Sequence, residues 1–245
     1  ANGAEHSKQQ AVFLLGKDAG TGMKEMSFDW IDFLQKLIFP PRCPVCSRVL
    51  GFVPECERCT PLIPRLLRRE LVPLSLHTLS MLEQVYAPFV YQPPMKKPLL
   101  LAKYEARRDI MRFFAEYMAQ GVREAGWPVD VIVPVPSHPA SVRRRGHDTA
   151  LLFAQALAEQ LHLPVEDQAL KKLYQTKEQH TLSEQARQSN LLGAFAVQAP
   201  QAVRGRRILL VDDVLTTGAT LNECAKMLLG AGAECCYGAT AVVTE

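Results

Sequence analysis

The 245-residue sequence predicts an α/β fold: a parallel sheet flanked by helices, preceded by a small Cys-rich module. Three observations predict it. Short aliphatic runs alternate with amphipathic segments of helical length, the pattern of buried parallel strands joined by helices. One such run, Ile208–Val211, leads through two carboxylates into a Thr/Gly-rich turn and then a helix. Four cysteines stand in two CxxC pairs ahead of these elements.

The elements follow in order. Residues 1–26 are small and polar, and are expected to be a flexible tail or an appended leader. Phe28–Phe39 is amphipathic and predicts a short helix, ended by Pro40-Pro41. Residues 27–64 form the Cys-rich module. Residues 65–95 form a connecting segment and hairpin, with a strand expected at Val85–Tyr91 and a turn at Pro93-Pro94. Residues 96–245 form the α/β domain. Helices are expected near Met95–Tyr104, at Arg108–Val122, where Ile110, Phe113, Phe114, Tyr117 and Val122 share one face, and at Asp148–Leu161. Val131–Val135 reads as a buried strand. Ala169–Tyr174 and Gly193–Val197 are weaker strand candidates. Arg207–Val211 is a strand, Thr217–Gly230 a helix, and Tyr237–Val243 the last strand.

Composition excludes several classes. With 48% hydrophobic and 22% charged residues, the chain is too apolar to be disordered overall. A formal charge of +3 is too mild to argue nucleic-acid binding by bulk charge. No apolar run approaches the roughly 18 residues of a membrane span. Val12–Leu15 is too short for a signal-peptide core. Seven cysteines are an odd number in a chain too long to need disulfide staples, so a reducing, cytoplasmic setting is expected.

Cys43 and Cys46 form one CxxC, and Cys56 and Cys59 a second. Two residues between cysteines let both sulfurs of a tight turn face one ion, and two such knuckles supply four thiolates for tetrahedral zinc. A closed set of four cysteines leaves no open coordination position, which favours a structural over a catalytic role. Arg42, Arg48 and Arg58 are near enough in sequence to offset the net negative charge of the loaded site. So short a segment cannot build a core alone, so a chelator is expected to destabilise this module alone.

The segment from Ile208 to Thr220 carries the most chemical information. Its strand presents the following loop at the carboxyl edge of a parallel sheet, where ligands of open α/β folds bind. The turn and helix start aim free N–H groups at an anion. Gly218 allows close backbone approach to a phosphate, while Thr216, Thr217 and Thr220 offer hydroxyls. Asp212 and Asp213 suit sugar hydroxyls or Mg2+. The combination fits a ribose 5-phosphate. It is not a P-loop, because no GK[ST] is present.

This segment closely resembles the 5-phosphoribosyl 1-diphosphate (PRPP) signature of type I phosphoribosyltransferases. With the CxxC–CxxC zinc-ribbon module ahead of it, the chain resembles the ComF/GntX-like family, which includes competence proteins of DNA uptake. Val133-Pro134-Val135-Pro136-Ser137-His138, with Arg143, Arg145 and Gly146, is similar to that family's first loop. Thr176, Gln179, Leu182, Arg187 and Asn190, then Gly193-Ala194-Phe195, match a second segment, and Lys103-Tyr104 resembles an early lysine–tyrosine pair. The likeness covers about residues 40–245. One departure stands out: the family's RGFNQ is here Arg145-Gly146-His147-Asp148-Thr149, which sets a carboxylate near the expected diphosphate position.

The resemblance implies a type I phosphoribosyltransferase-like sheet and a ligand of PRPP with Mg2+. Asp212 and Asp213 would hold the ribose hydroxyls and Val214, Leu215, Thr216, Thr217, Gly218, Ala219 and Thr220 the 5-phosphate. Arg143 and Arg145 would face the diphosphate, and Gln175–Arg187 would close as a lid. It also implies a role beside single-stranded DNA and a competence helicase in natural transformation. Two readings stand. One is an enzyme that transfers the phosphoribosyl group and relies on positioning rather than on a named base. The other is a binding protein that uses the fold as a scaffold for nucleic acid or a partner. No aromatic platform interleaved with basic residues is visible in the sequence. The bland readings are solvated charge for Arg65–Arg69, Arg204, Arg206 and Arg207, surface histidines for His138, His147 and His180, and core packing for Cys224. Cys235 and Cys236, adjacent on a strand, point to opposite faces.

Overall fold

The computed structural model describes Trp30, residues 37–74, 79–174 and 193–244. The chain divides into two units, Ala1–Pro40 and Pro41–Glu245. In the first, Trp30, Leu37, Ile38 and Phe39 are exposed, and most of the expected Phe28–Phe39 helix lies outside the described residues.

The second unit holds a parallel sheet of β1 (Val85–Tyr86), β2 (Phe89–Val90), β3 (Val131–Pro134), β6 (Arg207–Leu215) and β7 (Cys235–Val243). The order is β1-β7-β6-β3, and β2 also pairs with β7. The strand expected at Val85–Tyr91 is thus two short ones in line, both parallel to β7. Pro88 lies between them and has no N–H to give a ladder. A separate antiparallel pair joins β4 (Leu170–Lys172) to β5 (Phe195–Val197). The helices are α1 (Ile63–Leu66), α2 (Lys96–Glu105), α3 (Arg108–Glu124), α4 (Pro139–Arg145), α5 (Thr149–Leu161) and α6 (Ala219–Gly230).

Strand periodicity builds two cores. Along β6, Leu209 and Val211 join the core under α3 and α5, while Ile208 and Leu210 join the core under α6. In the first core Phe89 stacks on Phe113 at 5.8 Å and meets Phe114 and Tyr117 edge-on. Gly121 lets α3 approach β1: a Cβ there would lie 2.0 Å from the Tyr86 ring. That ring is itself pinned, since its hydroxyl donates to the Arg68 carbonyl at 2.7 Å.

At the amino edge of the sheet, Arg207 is more than solvated charge. Its backbone N–H and guanidinium donate to Asp130 at 2.6–2.9 Å, which ties the start of β6 to the chain entering β3. These bonds lower Asp130 to about 2.

Candidate functional site

Two local features of the second unit carry chemistry. The first is a cavity of about 430 Å³ at the carboxyl ends of β3 and β6. The β6 strand runs further than its aliphatic stretch, through both carboxylates to Leu215, because Val214 and Leu215 pair with Val242 and Val243 of β7. The turn is therefore only Thr216–Gly218, and α6 starts at Ala219. Gly218, at φ +76°, stands at the N-cap, a left-handed conformation that glycine adopts without strain. Val214, Leu215, Thr216, Gly218 and Thr220 line the cavity. Thr217 and Ala219 do not, and the Thr217 hydroxyl instead accepts from the Ala219 N–H at 3.4 Å.

Asp212 and Asp213 both face this cavity. The Asp213 backbone N–H donates to Asp212 Oδ1 at 2.8 Å. Lys103, from α2, sets its ammonium 2.9 Å from Asp213 Oδ2. Burial alone would lower Lys103, but the charge and hydrogen bond of Asp213, together with the Asp212 charge, outweigh it and the lysine is raised. Burial and the Asp213 charge push Asp212 up to about 7. Lys172, on β4, also lines the cavity and lies over the Phe195 ring at 5.4 Å. Burial lowers it, and the Asp212 charge offsets part of that.

The arginines expected on a loop sit instead on α4. His138 caps this helix by accepting from the Ala140 N–H at 3.2 Å, Pro139 occupies the first position, and Gly146 ends it at φ +82°. Helical geometry separates the three. Arg144 and Arg145 line the cavity, whereas Arg143 is exposed and does not. Arg145 Nη2 donates to Ser137 Oγ at 3.0 Å. Its Nε is buried without a partner, as is Thr149 Oγ1, and both residues line the cavity.

The departure at His147-Asp148-Thr149 resolves into structure. Asp148 caps α5 through the Ala150 N–H and accepts from both the Ser137 N–H and hydroxyl at 3.0–3.1 Å. Its carboxylate is spent on shaping the first loop. His147 Nε2 lies 3.1 Å from the Lys103 carbonyl, which can only accept, so the ring donates.

Sequence reasoning missed Lys172 and Thr149 as cavity residues. The signal for Lys172 was the strand period, which sets it on the same side as buried Leu170. The lid expected at Gln175–Arg187, with Thr176, Gln179, Leu182, Arg187 and Asn190, lies outside the described residues.

The second feature is the cysteine set. Cys43, Cys46, Cys56 and Cys59 bring their sulfurs within 4.8 Å of one another. Metal–sulfur bonds of about 2.3 Å in a tetrahedron give edges of about 3.8 Å. The Cys46 and Cys56 sulfurs are 3.8 Å apart, so the cluster fits a tetrahedral metal ion. Local backbone builds it. The first knuckle closes through Cys43 N–H to the Arg48 carbonyl and an antiparallel bridge between Arg42 and Val49. The second turns through Cys59 and Thr60 N–H groups to the Cys56 carbonyl. Burial raises Cys56, but N–H groups of Cys59 and Arg58, with hydrogen bonds from the Cys43 and Cys46 side chains, together bring the thiol to about 7.

Comparisons place this architecture. Residues 102–244 match the phosphoribosyl transferase domain family. Over 148 residues the chain is 34% identical to the DNA utilization protein YhgH of Escherichia coli K12, covering 58% of this chain and 64% of that protein. It is 31% identical to competence protein F of Haemophilus influenzae over 196 residues, covering 79% and 81% of the two chains. It is 26% identical to competence protein ComFC of Bacillus subtilis, covering 78% and 72%. A Thr/Gly turn after paired carboxylates, a parallel sheet and a leading four-cysteine cluster all agree with these matches: the chain belongs to the phosphoribosyl transferase domain family, among the ComF/GntX-like proteins.

Proposed function

We propose that the cavity binds PRPP or a related phosphoribosyl ligand. The observation that carries this reading is the composition of its wall: two carboxylates and the Thr216–Gly218 turn face four cationic side chains, Lys103, Arg144, Arg145 and Lys172. Excess positive charge around a sugar-type carboxylate pair suits a pentose bearing several phosphates. In this reading Asp212 and Asp213 hold ribose hydroxyls, the Val214–Thr220 segment holds the 5-phosphate, and Arg145 with Arg144 faces the diphosphate. Arg143 contributes long-range charge. Mg2+ accompanies the diphosphate. The unpartnered Arg145 Nε and Thr149 Oγ1 are donors for which a ligand oxygen is a fitting acceptor.

Calorimetric titration with PRPP and Mg2+ tests the reading. Binding is expected in the wild-type protein and is expected to be lost when Asp212→Asn and Asp213→Asn are combined, with the fold retained by circular dichroism. Unchanged affinity in the double variant would sink it.

The four-cysteine cluster holds structural zinc in this proposal, checked by elemental analysis of protein purified without chelator. The names of the relatives, a DNA utilization protein and competence proteins, support a role in handling DNA during uptake; a cytoplasmic setting and a DNA-processing partner are part of the same proposal. Phosphoribosyl transfer is the enzymatic form of the same reading. The cavity residues would act there by holding the ribose and withdrawing charge from the departing diphosphate.

A further inference from the structure

The acidic pair at the cavity floor already carries a cation of its own. Lys103 Nζ lies 2.9 Å from Asp213 Oδ2, and Asp213 is 8% exposed. The lysine is held from behind. It occupies the last turn of α2, which ends at Ala106 in a left-handed conformation, and His147 donates to its carbonyl at 3.1 Å. The α2 helix is further anchored by Leu99 and Ala102, both buried in the core under α3. The lysine therefore reaches Asp213 from a helix whose backbone is anchored in the core. Asp212 is also partly committed, because its Oδ1 accepts the Asp213 N–H. On the other flank, the charge of Asp212 acts on Lys172 and offsets part of the effect of its burial.

A divalent ion bound to these two carboxylates alone would sit against the ammonium on Asp213. At such distances like charges in a shielded site repel strongly. The two carboxylates thus make a poor free-standing divalent site, although their residue types suit one.

We propose that Lys103 is the resident cation of the acidic pair, excluding a free divalent ion from the pair and leaving its carboxylate oxygens for hydroxyl donors. His147 is a positioning residue in this arrangement, acting through the Lys103 backbone. A divalent ion then enters the cavity only on the phosphate oxygens of a ligand. This rests on the phosphoribosyl reading of the cavity, but its test needs no phosphoribosyl ligand.

The test is titration of the zinc-loaded full chain with Mn2+ alone, followed by electron paramagnetic resonance of the free ion. Wild-type protein is expected to show no Mn2+ site that Asp213→Asn removes. Lys103→Met is expected to gain one, at least about tenfold tighter than the weakest binding the titration detects, and the added Asp213→Asn change is expected to abolish it. Lys103→Arg, which keeps the charge, should exclude Mn2+ as the wild type does. His147→Ala should give a gain smaller than Lys103→Met. If Lys103→Met does not fold, Lys103→Gln keeps a donor for Asp213 and makes the same comparison. A wild-type Mn2+ site that depends on Asp213, or no gain on removing the Lys103 charge from a folded protein, overturns the proposal. Loss of PRPP binding with Mn2+ exclusion intact would count against the phosphoribosyl reading instead.

Discussion

Asp212 shows how much a carboxylate's surroundings decide. Held at about 7 by burial and by Asp213, it takes up a proton on folding between its unfolded range near 4 and its folded value. A raised acid disfavours the folded state as pH rises. Its contribution is nil below about pH 4, grows through the interval, and is complete above about 7. Asp212→Asn is therefore expected to stabilise the protein at pH 8, by at most about 4 kcal/mol, and to change little near pH 4. Thermal melts at the two pH values check this; equal effects at both would contradict it. The adjacency of Asp212 and Asp213 was plain in the sequence. Their unequal roles were not, because those depend on Lys103, more than a hundred positions earlier, being delivered to one and not the other.

At the scale of elements, the close approach of α3 to β1 depends on Gly121. Glycine inside a helix ordinarily costs stability relative to alanine. Here a Cβ would enter the Tyr86 ring, and the Tyr86 hydroxyl is held by the Arg68 carbonyl. Gly121→Ala is thus expected to destabilise by about 1–3 kcal/mol, against its helix propensity, measured by denaturant unfolding. A stabilised variant would show that the ring has room to retreat. Helix α4 teaches a related lesson. Arg143, Arg144 and Arg145 are indistinguishable as a run of charges, but a helix turns about 100° per residue, so they diverge. The His138 cap, Pro139 and Gly146 were signals for that helix in the sequence, and the loop reading passed over them.

At the scale of the molecule, the four-cysteine cluster and the α/β domain share a core. Cys43, Val45, Cys56 and Cys59 pack in the same apolar cluster as Phe89, Phe113 and Phe114, with Leu50, Ile63 and Leu66 against them. Metal loss is accordingly expected to act beyond the module, contrary to the expectation that it acts there alone. Chelation should lower the melting temperature of the unit as a whole and speed amide exchange in α3 as well as around the cysteines. Exchange confined to residues 41–66 would restore the independent-module reading. No helix among the described residues is long and apolar enough to cross a membrane.

The class of the fold, the cysteine cluster and the location of the Thr/Gly turn after the carboxylate pair were all legible from the residues alone. Each is written in local pattern: period-2 and helical apolar spacing, CxxC turns, a strand running into carboxylates and glycine. Which cations reach the carboxylates, and which arginines face the cavity, came from the folded chain and from nothing shorter. So did the employment of Asp148, which serves the loop rather than opposing a ligand. Those outcomes depend on where separate elements meet. Lys103 on α2, Lys172 on β4 and Arg145 on α4 converge because packing of their helices and strands brings them to one sheet edge. Contacts between positions so distant in sequence leave no periodicity to read.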